Sequence, residues 1–224
     1  MKPKIILLYV IFATVFWKCL TLSFEFDLAN RFVLNEYLLS EYKIVTAFLL
    51  FGVVPMAIVK FGLREKLSDY GLRLGNAVRT VRTFCIAAPV MVLIAYATGH
   101  NQSFVNIYPF NENLRLQNLT GEVSTAILVL HSVLYAGYYF GWEFMFRGFL
   151  QHGLTETTGI GNAILIQTFA TTMLHFGHPP MEFFASILAG LLWGCLVWRT
   201  RSILSGMGQH AILGIVSDII LIRR

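Results

Sequence analysis

Residues 123–152 give the clearest indication of the architecture and read VSTAILVLHSVLYAGYYFGWEFMFRGFLQH. This run exceeds the roughly 20 mainly apolar residues that a helix needs to cross a bilayer. Its acid and its arginine, Glu143 and Arg147, are four positions apart. A helix places residues at this spacing on one face, where they can form an ion pair. The run therefore predicts a membrane-spanning helix that carries a charged pair.

Further apolar runs are present on both sides of this one, at 5–22, 43–61, 83–99, 159–175, 181–198 and 203–222. Across all 224 residues the hydrophobic fraction is 56% and the charged fraction is 13%. Soluble domains contain about 25% charged residues, so this composition excludes a soluble globular protein. We expect an all-α fold, a polytopic transmembrane helical bundle of about seven spans.

The net charge of +5 comes from basic residues that cluster between the apolar runs. Such clusters orient a protein in the membrane, with the basic side in the cytoplasm. The concentration of Lys and Arg at 60–82 predicts a cytoplasmic amino terminus. We therefore expect membrane lipid as a partner, no nucleic acid, and a multi-pass protein of a prokaryotic plasma membrane.

Ionisable residues are unevenly distributed among the apolar runs. Each costs at least ~2.5 kcal/mol at the centre of a bilayer, so those that remain usually face a cavity or a partner. The last four runs contain or border Glu143, Arg147, His175, His210 and Asp218. This asymmetry predicts that 120–222 forms the working core and that 1–100 consists of scaffold helices of the same bundle.

Glu143 and His175 are equally far along the chain from Gly159, in a GIG turn. In an antiparallel hairpin such residues lie at the same depth, so the two side chains are expected side by side. His210 has Gly206, Gly208 and Gly214 nearby, and small residues let membrane helices approach closely. The last helix is therefore expected to bring His210 to the same site.

Three other features have less certain roles in the sequence. His131 has no evident partner and is interpreted as a packing or rim residue. Glu182 follows Pro179 and Pro180 and could cap a helix or hold His175 in one tautomer, capping being the preferred interpretation. The polar segment 100–122 could be a connector or a lid over a cavity.

Taken together, these motifs resemble the CPBP family, which comprises CAAX proteases and bacteriocin-processing enzymes. The elements that carry the resemblance are WEFMFRGFL at 142–150, LHFGHPPMEFF at 174–184 and WRTRS at 198–202, followed by a helix with a histidine. The family patterns are EExxxR, FxxxH and HxxxN. By this alignment Glu143 matches the second Glu, Arg147 the Arg, and His175 and His210 the two histidines.

The resemblance implies a seven- or eight-helix intramembrane endopeptidase. In its members a glutamate and a histidine activate water, a later His and Asn stabilise the oxyanion, and the eukaryotic members act on prenylated CAAX proteins. Here Trp142, Thr171 and Gly214 occupy the positions of the first Glu, the Phe and the Asn. Ser217 or Asp218 could substitute for the Asn. The chain thus resembles a subgroup with a single Glu before the RG.

Peptide hydrolysis requires an activated water and an oxyanion stabiliser. We expect Glu143 to act as the base with His175 sharing its proton, Arg147 to keep Glu143 ionised, and His210 to donate to the oxyanion. No cofactor is expected, and the substrate is a membrane-associated peptide or protein.

Three alternatives use the same residues differently. Glu143, His175 and His210 could bind a catalytic zinc ion, because two His and one Glu form a known zinc ligand set. The chain could instead be an inactive membrane scaffold, immunity or sorting protein, which Trp142 and Gly214 would favour. A proton-coupled transporter is the least favoured, because repeated halves and paired broken helices are missing from the sequence.

Overall fold

The computed structural model describes residues 1–31, 36–109, 111–121 and 123–224. These residues are almost entirely helical and contain no β-strand, which confirms the all-α class. The principal helices are α1 (Lys2–Arg31), α2 (Glu36–Ala47), α3 (Ala77–Gly99), α4 (Gln102–Val105), α5 (Glu112–Thr120), α6 (Thr125–Glu143), α7 (Ile160–Leu174), α8 (Pro180–Thr200) and α9 (Leu204–Arg223).

Two of these helices continue through π-helical segments, in which the hydrogen-bond ladder widens by one residue. Helix α2 runs on through π-helical Phe48–Val53, α-helical Val54–Ala57 and π-helical Ile58–Gly62. Helix α6 continues as π-helical Phe144–His152 and ends in α-helical Gly153–Thr158. Turns of π-helix are rare in proteins as a whole, but those that occur are often found at functional sites. The second segment therefore marks the region around Arg147.

Five helical segments among the described residues are long and apolar enough to cross a membrane: Lys2–Thr21, Glu41–Gly62, Ala77–Gly99, Pro180–Thr200 and Leu204–Arg223. They correspond to five of the expected spans. The run expected at 159–175 forms the shorter apolar helix Ile160–Leu174, and the run at 123–152 lies within α6 and its π-helical extension. The protein is therefore an integral membrane helical bundle.

The packing of the helices places α6 at the centre of the bundle. Helix α9 lies along α3, α8 lies along α7, and α6 contacts both α2 and α9. Large apolar side chains such as Leu93, Phe169 and Leu188 stay exposed on the outside. An apolar surface of this extent requires a lipid environment, whereas the interior around α6 is rich in aromatic rings.

Helices α7 and α8 pack closely through small residues. Gly190 and Gly194 are four residues apart, and a Cβ at either position would lie 2.8 Å from an atom of Thr168 or Gln167. The Gln167 amide donates to the Gly190 carbonyl at 2.8 Å, and Gln151 donates to the Gly194 carbonyl at 3.0 Å. The α7–α8 hairpin is therefore fixed by close backbone approach and by buried amide bonds.

The basic segment between α2 and α3 folds without a long helix. It contains a 3-10 turn at Leu67–Tyr70, and its flanks are irregular, with positive φ at Arg64 and Gly71. Tyr70 is buried, and its hydroxyl donates to Oε2 of Glu65. Lys2 pairs with the same carboxylate at 3.0 Å, so the amino terminus is tied to this loop.

Candidate active site

A cavity of about 260 Å³ lies between α6, α7, α8 and α9. Its walls include side chains that the sequence singled out and several that it did not. The polar and aromatic members used below are Tyr108, Tyr139, Trp142, Arg147, His175, Glu182, Trp193 and His210. A second cavity of about 230 Å³ shares Tyr108, Tyr139, Trp142, His175, Glu182 and His210 with the first. These shared side chains therefore line both spaces.

Glu143 forms the centre of a charged cluster behind the cavity wall. Its side chain is fully buried, and its Oε1 lies 3.2 Å from Nη1 of Arg147 and 3.0 Å from Nδ1 of His210. Its second oxygen, Oε2, has no hydrogen-bond partner in the described part of the chain. A Cβ added to Gly206 would lie 2.8 Å from this oxygen, so α9 passes directly against the carboxylate.

His210 projects from this cluster into the cavity. Because a carboxylate only accepts hydrogen bonds, Nδ1 of His210 donates to Glu143 and Nε2 remains for the cavity. The ring lies between Tyr139 and Trp193, with both centroid distances 4.4 Å. Trp193 also lies under the Arg147 guanidinium, 5.7 Å from its ring centroid. The ring of His210 is therefore held by the Glu143 hydrogen bond and by two close aromatic contacts.

His175 follows the last residue of α7 and lies on the other side of Trp142. Its Nδ1 donates to the Thr171 carbonyl at 2.8 Å, which leaves Nε2 as an acceptor in the neutral ring. The rings of His175 and Trp142, the residue before Glu143, are 5.8 Å apart. However, the carboxylate that faces His175, at 3.8 Å from Nε2, is Glu182.

Glu182 is in the first turn of α8 and is held by two further side chains. Its Oε1 accepts from the Tyr108 hydroxyl at 2.8 Å and from Nδ1 of His178 at 3.1 Å. Tyr108 comes from the segment 100–122, and it lines both cavities. This segment thus contributes a side chain to the site, whereas the sequence left open whether it is a connector or a lid.

The departures from the family motifs have clear structural consequences. Trp142, in the position of the first Glu, lines the cavity between His175 and His210, with centroid distances of 5.8 Å and 6.4 Å. At Gly214, in the position of the Asn, a Cβ would lie 1.8 Å from the Tyr139 hydroxyl. The hydroxyl of Tyr139 thus occupies the space that an Asn side chain would need.

Ser217 and Asp218 also line the cavity, but both have partners elsewhere. Ser217 lies 3.4 Å from the hydroxyl of Thr98. Asp218 binds Nε2 of His131 at 3.1 Å, and Nδ1 of His131 binds Glu41 at 2.8 Å. His131 is therefore a buried link between two carboxylates, and the interpretation as a packing or rim residue without a partner is wrong.

The zinc alternative requires Glu143, His175 and His210 to point at one position. Within the described ranges, no group of three or more His, Cys, Asp or Glu side chains is arranged to hold a metal ion. Glu143 contacts His210, whereas the carboxylate that faces His175 is that of Glu182. The geometry therefore does not fit a shared His₂Glu ligand set.

The cavity and its histidines lie within the part of the chain that has recognisable relatives. Residues 122–216 match the Rce1-like family, type II CAAX prenyl endopeptidases. The Rce1-like segment contains Glu143, Arg147, His175, Glu182 and His210, and it confirms the family resemblance that the motifs predict. Comparison with curated proteins gave no match, and comparison with solved structures gave none. The match supports a membrane protease that acts on a peptide; the single-Glu subgroup stays a prediction.

Sequence reasoning missed Tyr108 and preferred a different role for Glu182. Tyr108 carries no motif signal, because it lies in a polar connecting segment far from the Rce1-like motifs. Glu182 was noted, but its position after two prolines favoured a capping role. Its proximity to His175 results from the sharp turn at residues 175–179, whose side-chain directions helical periodicity cannot predict.

Proposed function

We propose that this protein is an intramembrane endopeptidase of the CAAX-protease-like type. In this proposal it hydrolyses a peptide bond of a membrane-associated substrate with a water activated by glutamate and histidine, and Glu143, Arg147, His175 and His210 form its site. The observation that carries the proposal is the cavity onto which two oriented imidazoles open, from α9 and from the end of α7. The match to the Rce1-like family supports the same reaction class.

His175 is suited to accept a proton from water. The Thr171 carbonyl fixes its Nδ1–H, so the lone pair of Nε2 faces the cavity side. A base must lie within hydrogen-bond reach of the proton that it removes. The water oxygen then attacks the peptide carbonyl carbon, and the proton passes through the base to the departing amine nitrogen as the C–N bond breaks.

His210 is suited to stabilise the oxyanion of the tetrahedral intermediate. Glu143 accepts its Nδ1–H at 3.0 Å, which leaves Nε2 facing the cavity, and a ring that takes up a second proton can donate its Nε2–H to the oxyanion. Arg147 lines the cavity and balances the charge of Glu143 at 3.2 Å. Fixed donors at a developing oxyanion contribute about 3–4 kcal/mol each. In this arrangement Glu143 acts on the reaction through His210.

The substrate is proposed to reach the site within the lipid. The cavity is lined mainly by aromatic and aliphatic groups, which suits a peptide segment that carries an apolar or lipidated end. The family description names CAAX prenyl substrates, so a farnesylated CAAX peptide is the first probe. An unprenylated copy of the same peptide tests whether the lipid group is recognised.

The test is cleavage of these two peptides by the purified protein in lipid vesicles. We expect cleavage by the wild type, and a loss of at least about 100-fold in kcat for His175→Ala, the range typical of a missing acid–base group. Glu143→Gln is expected to lose activity because Arg147 would be left without its counter-charge. Retention of normal cleavage by both variants would contradict the assignment.

The inactive-scaffold alternative predicts a different result from the same experiment. Trp142 and Gly214 are the observations that favour it, since they replace two motif residues. A scaffold would cleave neither peptide, and a cellular phenotype of the protein would survive His175→Ala. A matched control is His100→Ala, which changes an exposed histidine at the end of α3.

A further inference from the structure

Among the carboxylates described above, only Glu182 combines three features. It lines both cavities, its Oε1 is held by two donors, and its Oε2 has no hydrogen-bond partner among the described residues. The held oxygen fixes the direction of the group, and the second oxygen keeps its capacity to accept a hydrogen bond. A buried carboxylate oxygen without a partner is costly, which points to a small hydrogen-bond donor as its ligand.

Its position relative to His175 identifies that donor. Oε1 of Glu182 lies 3.8 Å from Nε2 of His175, and in the neutral ring both groups are acceptors, because Nδ1 carries the proton. Two acceptors cannot bond to each other directly. Oε1 already accepts from Tyr108 and His178. A water molecule has two hydrogens and can donate one to Nε2 and the other to Oε2 of the same carboxylate, each within the usual 2.5–3.2 Å range. The pair therefore forms a seat for one water at the cavity wall.

From this arrangement we propose that Glu182 is a catalytic residue, which binds and deprotonates the hydrolytic water together with His175. The inference rests on the proposed endopeptidase function and assigns the carboxylate that activates water to Glu182 instead of Glu143. Glu182 supplies from α8 the carboxylate that the motif lacks at Trp142, whose ring lies 5.8 Å from the same histidine. Tyr108 and His178 are its positioning residues.

Glu143 is less suited to this role. One of its oxygens is occupied by His210 and Arg147, and the other is packed against Gly206. Its side chain is fully buried, whereas the side chain of Glu182 is 19% exposed. Only Glu182 of the two lines the cavities, so only Glu182 can contact a water that also reaches a substrate.

The proposed step is balanced in atoms and charge. The water oxygen forms a bond to the peptide carbonyl carbon, and one water proton moves to the Glu182–His175 pair. The tetrahedral intermediate then collapses, the C–N bond breaks, and the same proton moves to the leaving nitrogen. The pair returns to its starting state, and the step needs no further reactant.

The experiment compares Glu182→Gln with wild type in the vesicle cleavage assay. Gln keeps an oxygen that accepts from Tyr108, so the fold is expected to persist, which thermal unfolding in detergent verifies. We expect kcat to fall by at least about 100-fold while KM stays nearly constant, because a general base contributes 10²–10⁴-fold to the chemical step. A residue with a merely structural role would not produce this split.

Controls and a second variant keep the outcome interpretable. Glu156→Gln removes an exposed carboxylate beyond α6 and should leave cleavage unchanged. Tyr108→Phe deletes the hydroxyl that holds Glu182 and is expected to lower kcat about tenfold, a loss near 1.4 kcal/mol. Tyr96→Phe, on the exposed face of α3, is its matched control.

Each outcome addresses one of the two proposals. If the wild type cleaves neither peptide, the endopeptidase function itself is contradicted. If the wild type cleaves and a folded Glu182→Gln protein keeps its kcat, Glu182 is not the base although the function stands. Should Glu182→Gln fail to fold, an unchanged kcat in Tyr108→Phe overturns the assignment, and a selective fall in kcat supports it.

Discussion

Gly206 lies against the carboxylate of Glu143, and a Cβ atom at this position would come within 2.8 Å of Oε2. The carboxylate cannot retreat easily, because its other oxygen contacts both His210 and Arg147. The absence of a side chain at residue 206 thus permits the arrangement that orients the His210 ring.

We predict that Gly206→Ala displaces the Glu143 carboxylate and weakens its hold on His210. Overpacking of this kind typically costs 1–3 kcal/mol, so we expect cleavage to fall about tenfold together with a lower unfolding temperature. Gly161→Ala is the control, because a Cβ there has no neighbour within 4 Å. Equal peptide cleavage by the two variants would contradict the proposed role of the Glu143–His210 contact.

At the scale of single residues, the sequence predicts pairs on one helix better than pairs between helices. The four-residue spacing of Glu143 and Arg147 indicated their ion pair, which the structure forms at 3.2 Å. The sequence offered the approach of Glu182 to His175 only as the less favoured of two interpretations and gave no indication of the contact between His131 and Glu41, because both join side chains from different helices. Their partners depend on the rotation of each helix about its own axis.

Helix α8 is positioned against α7 by glycines and polar side chains. Gly190 and Gly194 on α8 face Thr168 and Gln167, whose side chains lie where Cβ atoms would otherwise be. Close approach through small residues is a common basis of helix association in lipid. This contact sets the direction in which α8 leaves the 175–179 turn and hence the position of Glu182.

Gly190→Leu is therefore predicted to separate α8 from α7. A leucine side chain would overlap Thr168 and break the bond from Gln167 to the Gly190 carbonyl. We expect a loss of about 1–3 kcal/mol or more in stability, together with loss of cleavage, measured by thermal unfolding in detergent and by the peptide assay. Leu192→Ile, on the exposed face of α8, should unfold at the wild-type temperature; an equal shift in both variants would refute this packing argument.

The loop between α2 and α3 provides a pH-dependent element. Partial burial raises the pKa of the Glu65 carboxyl, but hydrogen bonds from Tyr70 and Lys2 outweigh it and hold the pKa below its ordinary value of 4.5. A lowered folded-state pKa stabilises the fold above the unfolded-state value, and this stabilisation is lost as the pH falls through the folded-state pKa.

Accordingly, Glu65→Gln is expected to lower the unfolding temperature at pH 7 and to have a diminishing effect below about pH 4.5. The measurement is thermal unfolding of both proteins across this pH range. A difference that stays constant down to pH 3 would show that the carboxylate charge contributes nothing to the loop.

At the scale of the whole molecule, a buried network joins the amino-terminal helices to the Rce1-like segment. His131 on α6 lies between Glu41 on α2 and Asp218 on α9, at 2.8 Å and 3.1 Å. Both carboxylates accept, so both ring nitrogens donate, which corresponds to the protonated imidazole. Ionic contacts therefore join the proposed scaffold at 1–100 to the proposed core at 120–222.

His131→Phe should destabilise the bundle strongly, because it leaves two buried carboxylates without their shared donor. Removing one member of a buried ionic group costs about 3–5 kcal/mol. Adding Asp218→Asn to this variant is expected to restore part of the loss, since one of the two charges is removed. Thermal unfolding in detergent measures both effects, and His100→Phe serves as the exposed control; a stability of His131→Phe equal to that of wild type would disprove the network's role.

The membrane class, the all-α fold, the helix runs and the Glu143–Arg147 pair follow from the sequence, because they depend on composition and on contacts within one helix. Five of the expected spans appear as long apolar helices, and the run at 159–175 is shorter than a full crossing. The tertiary structure alone decided which carboxylate faces His175, how Tyr108 enters the cavity and why Gly214 has no room for a side chain. These features depend on helix rotation, on the turn at 175–179 and on backbone approach, which arise only when all the helices pack together.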